Sequence, residues 1–118
     1  MSKHDQRTRK YCKDRGLLID KVEQYNFFSG RKNDLFGIFD YLAIDNNKTI
    51  GVQSCGADIA AHFVTLLVDQ RENTKIWLSN PNRQILLIGW RKLRGKRAFQ
   101  PRIFWGKLEN GKLTLEGE

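Results

Sequence analysis

The sequence predicts an α/β domain: a mixed sheet covered by helices on both faces. Three stretches predict it. Asp34 to Cys55 reads as two apolar strands joined by a tight turn at Asn46-Asn47. Residues 57–69 then place Ile59, Ala60, Phe63, Leu66 and Leu67 at i, i+1, i+4, i+7 and i+8, the stripe of an amphipathic helix. Residues 84–90, Gln-Ile-Leu-Leu-Ile-Gly-Trp, are a strongly apolar run of the kind found in central strands. Both faces of the first strand are largely apolar, with Asp40, Leu42 and Ile44 on one and Phe39, Tyr41 and Ala43 on the other. Such a strand needs a layer on each side. A helix that follows a hairpin and leads into another strand completes a mixed sheet.

In chain order, residues 3–15 form a short helix. Ser2 or Asp5 caps its start and Gly16 stops it. It is basic, with Lys3, Arg7, Arg9, Lys10, Lys13 and Arg15, and Arg7 and Lys10 share a face three residues apart. Residues 17–25 read as a strand with Glu23 near its end, and 26–33 as a loop carrying Phe27, Phe28, Arg31 and Lys32. In the hairpin, Asn46-Asn47 tolerates the positive φ of a two-residue turn. That register sets Asp45 opposite Lys48 and Asp40 opposite Gln53, with Cys55 on the same face as Gln53. His62 lies close to the helix stripe and reads as a packing or capping residue. Arg71 to Leu78 forms a second short helix with Trp77 inward, broken by Asn80-Pro81-Asn82. Arg91, Lys92, Arg94, Lys96 and Arg97 form a basic, exposed connection after the apolar strand. Residues 101–107 and 112–116 make a last hairpin around Asn110-Gly111. The order is helix, three strands, helix, strand and a C-terminal hairpin, in one domain over residues 1–118.

Composition narrows the function. A net charge of +8 and a pI near 9.8 favour an acidic partner, most simply nucleic acid. No long apolar run or basic amphipathic helix with an aromatic face points to a membrane. The N-terminus has no secretory pattern, and Cys12 and Cys55 make neither a disulfide framework nor a zinc knuckle, which suits a reducing cytoplasm. Asp40 among Phe39, Leu42 and Ile44 is costly unless it is hydrogen-bonded at a strand end or binds a cation.

Phe39-Asp40, followed after the turn by Val52-Gln53-Ser54-Cys55, resembles the motif of the PD-(D/E)XK nuclease superfamily, and the resemblance extends over residues 5–92. The likeness is to its small Holliday-junction-resolvase-like and phage-encoded members. It implies a restriction-endonuclease-like fold and a Mg²⁺ (or Mn²⁺) site for phosphodiester hydrolysis on duplex or branched DNA. A homodimer is possible, and a phage-encoded member works in the host cytoplasm. In the family pattern an Asp and an acid-x-Lys assemble the metal site. Asp40 matches the Asp, Gln53 replaces the second acid with an amide, and Cys55 stands where the lysine is expected. The resemblance implies that Asp40 and Gln53 bind the metal, that Glu23 or Asp34 adds charge, and that Lys32 replaces the lysine. Arg7, Lys10, Arg31, Lys32, Arg91, Lys92 and Arg94 are the expected contacts to the DNA backbone. The alternative is a catalytically degenerate nuclease-fold protein that binds nucleic acid without cutting it. A basic structural protein of a phage particle is a third reading.

Overall fold

The computed structural model describes residues 3–118, except for the side chains of Asn26 and Lys32. The elements are α1 (Lys3–Asp14), β1 (Leu18–Lys21), β2 (Gln24–Asn26), β3 (Arg31–Asn33), β4 (Tyr41–Ile44), β5 (Thr49–Cys55), α2 (Ile59–Val64), a π-helical turn (Thr65–Asp69), α3 (Arg71–Leu78), β6 (Arg83–Lys92), β7 (Phe99–Glu109) and β8 (Lys112–Gly117). Six strands form one mixed sheet in the order β1-β4-β5-β6-β7-β8, with β2 and β3 in a separate two-stranded hairpin. Neighbours in the large sheet are antiparallel except β5 and β6, which run parallel. The long connection that parallel pairing requires is the α2–α3 segment.

Two cores result, one on each face, as the doubly apolar strands require. On the first, Tyr11 and Cys12 of α1 pack on Ile19, Tyr41, Ile50, Val52 and Ile88. On the second, Ile59 and Leu66 pack on Phe39, Ile85 and Leu87. Thr8 fixes α1 to the sheet: its hydroxyl shares a 2.7 Å hydrogen bond with the Ser54 hydroxyl and accepts the Trp90 indole N–H at 2.9 Å. At the other end of α1, Gly16 has φ 77°, and the Leu17 N–H returns to the Cys12 carbonyl at 3.0 Å, closing the helix where a glycine stop is expected. Ser2 lies outside the described residues. Asp5 is no cap but sits inside α1, buried, where it accepts from the Tyr41 hydroxyl and from Arg9. No helix among the described residues is long and apolar enough to cross a membrane.

Several sequence expectations need correction. The first strand of the central hairpin starts only at Tyr41. Residues 35–39 form a tight loop, closed by the Leu35 N–H on the Phe39 carbonyl at 3.0 Å, with Phe36 at φ 56° and Gly37 at φ 70°. This loop carries Phe39 to the face opposite Tyr41 and Ala43, 4.7 Å from the Trp77 ring. It lies over Gly51, where a Cβ would drive into the Phe39 ring. The register is the expected one, with Tyr41 paired to Val52 and Ile44 to Thr49. The turn chemistry differs. Neither Asn46 nor Asn47 has positive φ; the Asp45 carboxylate closes the turn by accepting the Asn47 and Lys48 N–H groups, both at 2.8 Å. At the last hairpin, Asn110 and Gly111 do adopt positive φ, 52° and 76°.

The strand expected over 17–25 is two strands. Lys21 ends β1, and the chain turns away into the β2–β3 hairpin that replaces the expected loop at 26–33. Strand β6 runs on to Lys92, so Arg91 and Lys92 belong to the sheet, paired with Gln100 and Phe99. The helix expected over 57–69 becomes a π turn at Thr65, where the Gln70 N–H reaches back five residues to the Thr65 carbonyl at 2.8 Å. Ile59 and Leu66 are buried and Phe63 is half-buried against Phe104, but Ala60 is exposed.

Leu66 has no exposed surface and occupies the centre of the second core. Leu66→Ala should lower unfolding stability by about 2–5 kcal/mol in urea denaturation. A loss under about 0.5 kcal/mol, the scale of a surface change, would contradict the packing of α2 on the sheet.

Candidate metal centre

Asp40 is held from three directions before its side chain does anything. Its carbonyl accepts the Val22 and Glu23 N–H groups at 2.9 and 3.2 Å. Its own N–H donates to the Val52 carbonyl at 2.9 Å. That last bond takes it out of the ladder, so Asp40 does not stand opposite Gln53 as a cross-strand partner. Instead its carboxylate accepts the Ser54 N–H at 3.0 Å, across the end of β5.

The β2–β3 hairpin delivers two more acids. Glu23 precedes β2 and Asp34 follows β3, so closing the hairpin brings both to its base. One carboxylate oxygen from each of Glu23, Asp34 and Asp40 lies within 4.8 Å of the others, and all three residues are half-buried. Burial raises the Asp40 carboxyl to about 8, the Ser54 N–H opposes the rise, and the charges of Asp34 and Glu23 add to it. Burial likewise raises Asp34, which is hydrogen-bonded to Asp40 and feels Glu23; the nearby His62 works the other way. At neutral pH the cluster therefore retains a proton it would shed in water.

Gln53 adds a different donor. It is 3% exposed, and its Oε1 has no hydrogen-bond partner among the described residues. Strand alternation puts it on the Cys55 face, one residue before the Ser54 that holds Asp40. A buried amide oxygen without a donor is expensive. Three carboxylates and a neutral carbonyl are the hard oxygen set that Mg²⁺ or Mn²⁺ takes, so the residues fit such an ion.

The remaining predicted residues distribute as follows. Cys55 is buried, and its thiol is pushed up to about 12 by burial and by Asp58 and Asp40, so it does not supply the charge of a lysine. The Lys32 side chain lies outside the described residues. Arg7, Lys10 and Lys92 line a cavity of about 570 Å³ between α1 and the β6–β7 end, with Tyr11, Trp90 and Phe99 among them. Arg7 stacks on Phe99 at 3.9 Å and bonds His4 Nδ1 at 3.0 Å; Lys10 also pairs with Asp14 at 2.8 Å. Arg91 lines an adjoining cavity with Arg15, Arg94 is exposed on the 93–98 loop, and Arg31 is exposed on β3, away from that groove in sequence. The groove is on the α1 face and the acids are on the other, yet both lie where parallel β5 and β6 end. His4 of α1 meets Gly56 at that end, 3.4 Å from where a Cβ would lie. Open α/β sheets bind ligands beyond the carboxyl ends of their parallel strands.

Sequence reasoning missed three residues here. Ser54 holds Asp40 through its main chain, for which no side-chain signal exists. His62, expected as a packing or capping residue, lies near Asp34 as well as Asp58 at the helix start, with Nε2 3.5 Å from Asp58 Oδ2. The spacing of Asp58 and His62, four apart at a helix start, was the available signal.

The Asp40 carboxyl generates a stability prediction. Folded Asp40 keeps its proton to about 8 and unfolded Asp loses it near 3.8. Between those values the folded state binds more protons, so stability falls as pH rises. The urea midpoint of wild type in chelator should therefore drop between about pH 5 and about pH 8.5, and Asp40→Asn should flatten that drop. Added Mn²⁺ should raise the midpoint most at the higher pH, where the ion replaces the proton. Equal slopes for wild type and Asp40→Asn would show that Asp40 titrates as an ordinary carboxyl.

No family model, curated protein or solved structure matches the chain.

Proposed function

We propose that the protein is a metal-dependent nuclease of the restriction-endonuclease-like fold, acting on duplex or branched DNA. The observation that carries this reading is the convergence of Glu23, Asp34 and Asp40 within 4.8 Å, with Asp40 held by the N–H of Ser54, the residue after the buried Gln53 whose Oε1 has no partner among the described residues. Asp40 and Gln53 hold the ion, with Glu23 and Asp34 completing the set. When bound, Mg²⁺ or Mn²⁺ neutralises charge on the scissile phosphate and lowers the pKa of an attacking water. The chain's own contribution is placement. The Ser54 N–H and the doubly anchored carbonyl of Asp40 fix one carboxylate on the sheet, and the hairpin base fixes the other two. Arg7, Lys92 and the exposed Arg91 and Arg94 hold the phosphate backbone at the same end of the sheet. Two free, buried cysteines accord with a reducing cytoplasm, that of a host cell for a phage-borne gene.

One observation favours a second reading, in which the same fold binds nucleic acid without cutting it. Cys55 stands in the lysine position: a thiol has no cationic form, and burial keeps it from being a ready base. Labelled duplex and four-way-junction DNA, incubated with Mn²⁺, separate the two. Nicked product from wild type, abolished by Asp40→Asn with an unchanged far-UV spectrum, supports the nuclease. No product from wild type, but product from the Gln53→Glu, Cys55→Lys double variant, supports the degenerate module. Absence of both metal binding and cleavage in both proteins would leave only the fold reading.

The basic surface is tested by salt. Log affinity should fall linearly with log salt, at about −0.9 per phosphate neutralised. Replacing Arg91, Lys92 and Arg94 together by Ala should reduce that slope by about 2–3. An unchanged slope would take the β6 end off the DNA surface.

A further inference from the structure

A second set of donors lies next to the acids and differs from them in kind. Cys55 ends β5, Asp58 precedes α2, and His62 follows one helical turn later. In sequence this is Cys-x₂-Asp-x₃-His, and in space one ligand atom from each lies within 4.8 Å of the others. Cys55 is buried, His62 half-buried and Asp58 exposed. The ring of His62 brings an independent sign. Its Nδ1 is buried and has no hydrogen-bond partner among the described residues, while Nε2 lies 3.5 Å from Asp58 Oδ2.

We infer that Cys55, Asp58 and His62 form a second cation site, built for a borderline-soft divalent ion such as Zn²⁺. Thiolate, imidazole and carboxylate are the ligand types that Zn²⁺ takes, at about 2.3, 2.0–2.1 and 2.0–2.2 Å. Tetrahedral bonds of those lengths put the donor atoms about 3.3–3.7 Å apart. The His62–Asp58 pair already stands at 3.5 Å, and the other separations, none above 4.8 Å, close by about 1 Å at most through the exposed Asp58 and half-buried His62 side chains. Three protein ligands leave the fourth tetrahedral position open to water, the pattern of zinc sites that do more than hold a fold. Mg²⁺ is excluded by chemistry, since it prefers oxygen and does not take a thiolate.

The same three residues suggest a rival, a Cys–His–Asp nucleophile. Reactive thiols sit in electropositive surroundings that favour the thiolate. Here Cys55 is buried and the carboxylates of Asp58 and Asp40 lie near it, surroundings that are not electropositive. A bound cation reverses that balance: the Cys55 S–H bond breaks, the sulfur keeps the electron pair for the metal, and the proton goes to solvent. The inference does not depend on the nuclease reading, because its ligands are not the acids assigned to Mg²⁺.

Co²⁺ titrated into the full chain tests it optically. A thiolate–Co²⁺ charge-transfer band in the near ultraviolet, with the strong visible bands of tetrahedral Co²⁺, should grow to one equivalent. Zn²⁺ should bleach both, and excess Mg²⁺ should leave them. Cys55→Ser should remove the near-ultraviolet band, and Cys12→Ser, on the other face of the sheet, should keep it. His62→Ala, at a partly exposed helix position, should weaken Co²⁺ binding at least about tenfold without unfolding the protein. Asp40→Asn should retain the band, so that loss of the oxygen site and loss of this one read differently. No charge-transfer band, a band that survives Cys55→Ser, or weak octahedral spectra abolished by Asp40→Asn would each overturn the inference.

Discussion

Everything at the acid cluster of this molecule depends on how the main chain holds Asp40. Its carbonyl takes two N–H groups from the turn after β1, and its N–H bonds back to β5. The carboxylate then receives the Ser54 N–H. Three strands are thereby tied at one residue. A carboxylate bonded in this way would ordinarily be stabilised and its pKa lowered. Asp40 goes the other way, because burial and two neighbouring acids outweigh a single N–H donor. The site therefore carries an unfavourable charge arrangement in a rigid frame, and such a conflict marks function more often than structure.

Ser54 couples that frame to the basic helix. Its N–H serves Asp40 on one face of the sheet; its hydroxyl bonds Thr8 of α1 on the other. Thr8 in turn takes the Trp90 indole N–H, two residues before Lys92 leaves the sheet. Three hydrogen bonds thus run from the acid cluster to both walls of the basic groove. If the groove takes a DNA backbone, as the proposed function requires, the stiffness of β5 and β6 would fix that backbone relative to the acids.

The sequence made the layered architecture legible because hydrophobic periodicity reports burial directly. The doubly apolar β4, the run at β6 and the Ile59–Phe63–Leu66 stripe each imply a covered face. Register followed from the turn position, even though Asp45, not a positive-φ Asn pair, closes that turn. The loop at 35–39 was not legible: Phe36 takes a left-handed conformation that a phenylalanine does not advertise, and it moves Phe39 to the other core. The site was half legible. Asp40 and Gln53 came from the motif, and Asp34 and Glu23 from the acidic charge that the resemblance calls for and Gln53 does not supply. The β2–β3 pairing that joins those last two rests on three-residue strands of polar sequence, whose periodicity says little. His62 was hidden by its place beside an apolar stripe.

The two clusters also bear on the order of events at the sheet's end. A phosphate about 5 Å from one ionised carboxylate is repelled by about 3 kcal/mol at an effective dielectric of 20. With Glu23, Asp34 and Asp40 grouped and retaining a proton at neutral pH, a phosphate brought to them would meet the negative charge that remains. A divalent ion among the acids changes its sign. Under the proposed function, groove binding and site binding would therefore separate: the first would follow salt alone, and the second would require the metal to enter before the phosphate. On the nuclease reading proposed above, the acid pocket of this chain of net charge +8 would take a phosphate only after a cation has entered. On the same reading the groove on the α1 face, lined by Tyr11, Trp90 and Phe99 among basic residues, would hold the strand independently of the metal.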